Sequence, residues 1–236
     1  MNRVGKGKNG FTLIELMLAM TFISLLLLAV ALTVIQMGRT YNRGMIFKEL
    51  NQVARTVNND MRRTINSAQP IDMSLHYLHS ETSGRLCLGQ ATYIWNVEKQ
   101  VNDRGTDYIG FAQSDDAVRF VKIPDLGGNY CAKDSRGDLV IRDIRESDRG
   151  VMVDLLRSND YELSIHGLEV IQNASYAESV TGQQLFSVAL RLGTSNIEAM
   201  NDDQTACLPP SFIGSDVSNC FIQEFTVVAR TGNKVN

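Results

Sequence analysis

The chain carries the stretch FTLIELMLAMTFISLLLLAVALTVI at residues 11–35, and this stretch decides the predicted fold. No side chain from Leu16 to Ile35 is charged. At about 1.5 Å per residue, a helix of this length spans about 30 Å, the thickness of a hydrocarbon core. The stretch therefore predicts a transmembrane helix. From Leu16 to Ile35 the polar side chains are hydroxyls that can bond back to helix carbonyls, at Thr21, Ser24 and Thr33.

The ten residues before this stretch, MNRVGKGKNG, include Arg3, Lys6 and Lys8 and no acid. A basic flank keeps its end of a span in the cytoplasm, so residues 36–236 are predicted on the far side of the membrane. No later run of the sequence reaches about 18 apolar residues, the length a second span needs. The chain is therefore predicted to cross a membrane once.

Three interpretations of the segment compete: a plain signal anchor, a secretory signal cleaved near Ala29-Val30-Ala31, and a leader cleaved early. Glu15 lies inside the apolar stretch, where a carboxylate is costly and marks a functional position by default. Neither an anchor nor a secretory signal requires this carboxylate. The stretch is also longer than the apolar region of about 7–15 residues in a secretory signal.

The residues Gly10-Phe11-Thr12-Leu13-Ile14-Glu15-Leu16 resemble the class III signal of type IV pilins and pseudopilins. The resemblance implies that a prepilin peptidase cuts between Gly10 and Phe11 and methylates the amine of Phe11. Glu15 would then be the fifth mature residue, where the family carries its signature glutamate.

The physical chemistry of Glu15 agrees with an assembly role. Cleavage creates a cationic amine on Phe11, about one helical turn from the carboxylate, and methylation keeps its charge. When helices bundle, the amine of one subunit can meet Glu15 of its neighbour. Because a buried charge is tolerable when paired and costly when alone, this pair would favour one axial register between subunits.

Apolar residues continue beyond the span at steps of three and four, which predicts an amphipathic helix up to about residue 66. The first proline is Pro70, a stop signal. Gly38 and Gly44 are the helix-weakening residues, and close helix packing, mere tolerance of a glycine, or a local bend or melt on assembly would explain them. The predicted segments are a cleaved basic leader, a transmembrane or filament-core helix, an amphipathic helix and a β-rich head, at residues 1–10, 11–36, 37–69 and 70–236.

After Pro70, short apolar runs alternate with turn residues, which predicts antiparallel β structure packed on the amphipathic helix, an α+β fold. The long helical spine with such a head resembles a pilin. The size of the head and residues 43–65 resemble the PilW/PulJ-type (J-type) minor pilins. The predicted strands are Arg85–Leu88, Thr92–Val97, Tyr108–Phe111, Val118–Ile123, Leu139–Arg142, Val151–Leu155, Tyr161–Gln172, Gln184–Arg191 and Phe221–Ala229.

Four cysteines lie on the translocated side, where disulfides are permitted, and they allow three connectivities. Pilins often close a C-terminal loop with a disulfide, so the resemblance favours Cys207–Cys220. It favours Cys87–Cys131 as the second pair. Four free thiols remain the alternative.

No catalytic motif occurs, so the chain is not predicted to be an enzyme, and a membrane-anchored envelope enzyme ranks last among the candidates. The histidines His76, His79 and His166 are predicted to be structural. Asn201-Asp202-Asp203 is predicted to form a turn rather than a calcium site, so no cofactor is expected. The net charge of −3, made more acidic by loss of the leader, argues against direct nucleic-acid binding.

The resemblance implies a minor pilin or pseudopilin of a type IV pilus or a type II secretion-like filament, at or near the tip within the initiation complex. Its implied partners are a prepilin peptidase, other major and minor pilins, and an inner-membrane platform with a cytoplasmic ATPase. The assembled subunit would lie in an extracellular filament at the cell surface. The alternative function is a tip adhesin whose head binds a receptor or DNA.

Overall fold

The computed structural model describes residues 10–97, 118–158, 161–173, 182–202, 204–213, 215–216 and 218–233. It has an α+β layout with one long N-terminal helix and antiparallel sheets, as predicted. The helix, α1, runs over Leu13–Ser67. The chain divides into two compact units, Met1–Arg43 and Gly44–Asn236, and each is described by itself.

In the second unit, α1 buries one apolar face whose members recur at steps of three and four. This pattern matches the predicted amphipathic helix over the part of α1 that belongs to this unit. Most of the polar residues between them lie on the exposed side of the helix, whereas Thr64 is buried. The buried apolar residues of α1 are Ile46, Leu50, Val53, Ala54, Val57, Met61 and Ile65.

The first sheet is an antiparallel meander of five strands in the order β1-β2-β3-β4-β5. A short helix, α2, precedes it, and another, α3, precedes β5. The bounds are α2 Met73–His76, β1 Tyr77–His79, β2 Ser83–Cys87, β3 Ala91–Asn96, β4 Phe120–Pro124, α3 Glu146–Arg149 and β5 Val153–Asp154.

The second sheet is an antiparallel meander of three longer strands in the order β6-β7-β8. They are Leu163–Asn173, Leu185–Thr194 and Ile222–Arg230. The main core joins the buried face of α1 to residues of both sheets, so the helix and the two sheets share one hydrophobic cluster. A smaller cluster forms on the other side of the first sheet, under residues 130–144.

Several strand predictions need correction. Leu139–Arg142 is not a strand and makes only the isolated bridge Lys133–Leu139, because a buried arginine, Arg85, occupies the carbonyls of Ile141 and Arg142. The strand predicted at 151–155 shrinks to β5, since the N–H groups of residues 151 and 152 bond to Asp148 in a turn. The strand β1 was not predicted, and the single predicted sheet is two. The predicted strand Tyr108–Phe111 lies outside the described residues.

Gly84 on β2 is required by the ring of Trp95 on the neighbouring strand. The two residues are cross-strand partners, and a Cβ added to Gly84 would lie 2.0 Å from the Trp95 ring. The indole is buried, with 2% of its surface exposed, so it cannot move aside freely.

We expect Gly84→Ala to lower the free energy of unfolding by about 2 kcal/mol, the usual cost of overpacking a core. Urea unfolding followed by tryptophan fluorescence would measure it, because Trp95 is the single tryptophan of the chain. Gly89→Ala is not a suitable control, since Gly89 has a positive φ of 76°. Gly150→Ala is suitable, because nothing lies within 4 Å of its added Cβ. Equal stability of the Gly84 and Gly150 variants would contradict the steric argument.

Candidate processing and assembly site

The predicted cleavage point, between Gly10 and Phe11, precedes the helix. Both residues are exposed, and the Phe11 side chain is 88% exposed. The first hydrogen bond of the helix joins the Leu16 N–H to the Thr12 carbonyl. The Gly10–Phe11 bond therefore lies outside the helical ladder, and a peptidase could reach it without unwinding a turn.

Glu15 forms a capping box with Thr12, a contact that the sequence reasoning missed. The Thr12 N–H and hydroxyl both donate to Glu15 Oε2 at 2.9 Å, and the Glu15 N–H approaches Thr12 Oγ1 at 3.4 Å. The sequence contains the pattern for this contact, because Thr-x-x-Glu is typical of a capping box at a helix start. Glu15 thus has a partner within its own chain, and its carboxylate lies in the first turn, where the helix dipole favours an anion.

The segment after Glu15 has the properties of a membrane span. Within α1, a window of 18 residues reaches a mean hydropathy of 2.7, and none of it is buried inside the protein. Its hydroxyls bond back to the helix as predicted, Thr21 to Leu18 at 2.9 Å, Ser24 to Met20 at 2.8 Å and Thr33 to Ala29 at 2.6 Å. Among the described residues this is the one helix long and apolar enough to cross a membrane.

Gly38 and Gly44 lie inside the continuous helix α1. A Cβ added to either would meet no atom within 4 Å, so packing within this chain does not require a glycine at these positions. Melting of this part of the helix on assembly therefore stays a prediction.

The structure contains the disulfide bonds Cys87–Cys131 and Cys207–Cys220, the two pairs favoured above. The first ties the end of β2 to the 3-10 helix Asn129–Cys131. The second closes a loop of the connection between β7 and β8, which also contains the isolated bridge between Met200 and Cys207. The first bond therefore holds residue 131 onto the first sheet, and the second closes a loop within a long connection.

A polar network joins α1 to the first sheet in the second unit. The Tyr93 hydroxyl donates to Asp60 at 2.6 Å, and Lys122 Nζ reaches both Asp60 oxygens at 2.8 and 3.0 Å. The Tyr93 oxygen and Lys122 Nζ each lie 2.8 Å from the Thr64 hydroxyl. Burial, followed by the hydrogen bond to Asp60, raises the pKa of Tyr93 far above its usual value. The Tyr93 hydroxyl therefore stays protonated, and its hydrogen bonds hold α1 against β3.

We expect Tyr93→Phe to lower the free energy of unfolding by about 1.5 kcal/mol, because partly buried Asp60 loses a donor and buried Thr64 loses a hydrogen-bond partner. Urea unfolding would measure this loss. Tyr41→Phe is the matched control, since Tyr41 is 70% exposed and lies outside the second unit. A loss no larger than that of the control would contradict this role of the Tyr93 hydroxyl.

A groove of about 620 Å³ opens beside this network. Asp60, Arg63 and Lys122 supply charged side chains, and Val151 and Val153 supply an apolar wall. Both valines are 53% exposed. The groove therefore combines charged and apolar contacts on the surface of the second unit.

The three histidines, and Asn201 of the segment Asn201-Asp202-Asp203, make contacts within the protein. His76 bonds to the Asp72 carbonyl, and His79 stacks on Tyr77. His166 faces the carbonyls of Gln204 and Thr194. Asn201 accepts the N–H groups of residues 205 and 206 in a turn, and Asp203 lies outside the described residues. In the described part of the chain, no three His, Cys, Asp or Glu side chains gather to hold a metal ion.

These features define a class: an α+β protein with one N-terminal helix able to act as a membrane anchor and a disulfide-bonded, two-sheet unit. Comparisons with known proteins add no family, because no family model, curated protein or solved structure matches the chain.

Proposed function

We propose that this chain is a minor pilin or pseudopilin, a structural subunit that polymerises through its N-terminal helix. The observation that carries the proposal is the heptapeptide of residues 10–16 placed directly before an uncharged span, with Glu15 as its single acid. An accessible Gly10–Phe11 bond outside the helix supports processing at that bond.

The contacts of Glu15 are compatible with a second role in assembly. Its hydrogen bonds to Thr12 use Oε2, and no contact of Oε1 is among those described. A neighbouring Phe11 amine can therefore bind Oε1 while the cap stays intact. In an apolar bundle of helices this ion pair forms at one axial stagger only, which sets the register of the subunits.

The proposed function includes an order of insertion, cleavage and assembly, with a partner at each step after insertion. The chain first spans the inner membrane once, and a prepilin peptidase then releases the leader of residues 1–10. An inner-membrane platform with a cytoplasmic ATPase next passes it, with other major and minor pilins, into a type IV pilus or a type II secretion-like filament. We place it near the tip, within the initiation complex.

Mass spectrometry of sheared filaments tests this function. The expected result is a mature chain that starts at N-methylated Phe11 and is present at low stoichiometry. The matched control is a Gly10 variant with a bulky residue, which should keep its leader and stay in the membrane. A mature N-terminus after Ala31, the secretory alternative, would overturn the proposal.

A second candidate function is ligand binding by the head of a tip subunit, and the groove beside Lys122 favours it. Charge reversal at Arg63, which lines the groove, would then reduce adhesion while leaving filament number unchanged. Unchanged adhesion would argue for a purely structural subunit.

A further inference from the structure

Residues 132–140 form a short hairpin on the second unit, with the sequence AKDSRGDLV. The Val140 N–H donates to the Ala132 carbonyl at 2.9 Å, and Lys133 and Leu139 form an antiparallel bridge. The Asp134 N–H donates to the Asp138 carbonyl at 2.8 Å and closes the turn. We call this segment the 132–140 hairpin.

The tip of the hairpin is held in one conformation. Asp134 Oδ1 accepts the N–H of Arg136 at 2.8 Å and the N–H of Asp138 at 3.0 Å. The Gly137 N–H donates to the Asp134 carbonyl at 3.0 Å. Gly137 has a φ of 86°, a conformation that favours glycine. The tripeptide Arg136-Gly137-Asp138 is therefore presented on a pre-formed turn.

The base of the hairpin is anchored in the core. Leu139, the residue after the tripeptide, is buried in the smaller cluster. Cys131 is bonded to Cys87 on β2. The fully buried Arg85 donates to the Tyr130 carbonyl at 2.9 Å and the Ile141 carbonyl at 2.6 Å, one on each side of the hairpin. These contacts fix the tip relative to the first sheet.

The two charges of the tip remain available to a partner. Arg136, Gly137 and Asp138 are all exposed, and in the described part of the chain Arg136 has no ion pair. Asp138 lies 3.5 Å from Arg142, but both side chains are more than half exposed, so this pair contributes little. Val140, on the same hairpin, is 61% exposed and adds an apolar contact.

We propose that the Arg136-Gly137-Asp138 tip binds a receptor protein that carries a divalent cation beside an acidic pocket. Carboxylate oxygens are the ligands that Mg²⁺ and Ca²⁺ take in proteins, so Asp138 completes the coordination of the receptor's cation. A guanidinium pairs with carboxylates through paired hydrogen bonds, which suits Arg136. Because the turn is pre-formed, binding loses little conformational entropy. This binding goes beyond the structural role and does not require filament assembly.

The test uses the full chain in detergent micelles, with both disulfides verified by peptide mapping. The probe is the immobilised ectodomain of an integrin that recognises Arg-Gly-Asp, loaded with Mn²⁺, and surface plasmon resonance gives the Kd. We expect saturable binding that EDTA abolishes. Asp138→Glu should weaken it at least about tenfold, a loss of about 1.4 kcal/mol. Asp143→Glu, the same change at an exposed acid of the following segment, should leave it unchanged.

A third variant tests the contribution of the turn conformation to binding separately from that of the two charged side chains. Gly137→Ala keeps Arg136 and Asp138 but strains the left-handed position, so its Kd should also rise. No binding of the wild-type chain, binding that survives EDTA, or equal Kd values for Asp138→Glu and Asp143→Glu would each overturn the proposal. Since the chain is measured unassembled, a negative result leaves the filament function untouched.

Discussion

Glu15→Gln should enter the membrane and lose its leader as the wild-type chain does, yet its share of sheared filaments should fall at least about tenfold. A glutamine keeps the side-chain acceptor that the capping box needs, since Glu and Gln both serve at this position. In the proposed filament, a glutamine could not neutralise the ammonium group of a neighbour's Phe11 in the apolar core. An unpaired charge there is costly, so the variant subunit is excluded.

Thr12→Ala is the reciprocal variant. It removes the hydroxyl that bonds to Glu15 but keeps the carboxylate charge. We expect near-normal incorporation of this chain, with quantitative mass spectrometry of filaments and of membranes as the readout. If Thr12→Ala were excluded and Glu15→Gln incorporated, Glu15 would act as a helix cap and the register role would be wrong.

Arg85→Met should lower the free energy of unfolding by about 3 kcal/mol or more, because it leaves buried carbonyls without a donor. The Arg85 side chain is fully buried and donates to the carbonyls of Tyr130, Ile141 and Arg142. Methionine fills a similar volume, so the lost hydrogen bonds rather than a cavity should dominate the change. Urea unfolding followed by the fluorescence of Trp95 would measure it.

Arg85→Lys serves as the control for charge. A lysine keeps the cation but lacks the planar fork of donors, so its stability should fall between the wild type and Arg85→Met. Hydrogen exchange should show lost protection around residues 130–142 in Arg85→Met first. A loss below about 1 kcal/mol would show that water or other groups satisfy these carbonyls.

Local patterns predicted the elements whose residues interact with near neighbours in sequence. The three-to-four spacing from Ile46 to Ile65 predicted the buried face of α1, and alternation predicted β6. The hydroxyl at Ser24 bonds back within its own helix, as its position implied. By contrast, the unpredicted strand β1 has three residues and exists because β2 offers it a ladder, and β5 keeps only two residues of its predicted strand. Runs this short carry no periodic signal.

The sequence likewise predicted the contiguous part of the candidate site and not the part formed by distant residues. The heptapeptide of residues 10–16 is contiguous, so the sequence alone contains the complete motif. The missed contact between Thr12 and Glu15 also joins residues only three positions apart. The Asp60–Tyr93–Lys122 network could not be predicted, because its members lie on α1, β3 and β4 and meet only when the helix packs on the sheet. Composition alone does not report which charges come together across such distances.

The sequence by itself predicted one helix long and apolar enough to span a membrane, the amphipathic continuation of α1 and an α+β class, since each depends on residues a few positions apart. Tertiary structure alone decided that the strands form two sheets, and that Arg85 takes the place of a strand partner beside residues 141 and 142. The physical reason is that a backbone carbonyl accepts whichever donor the fold brings to it. A distant buried guanidinium can therefore cancel a strand that local propensity favours.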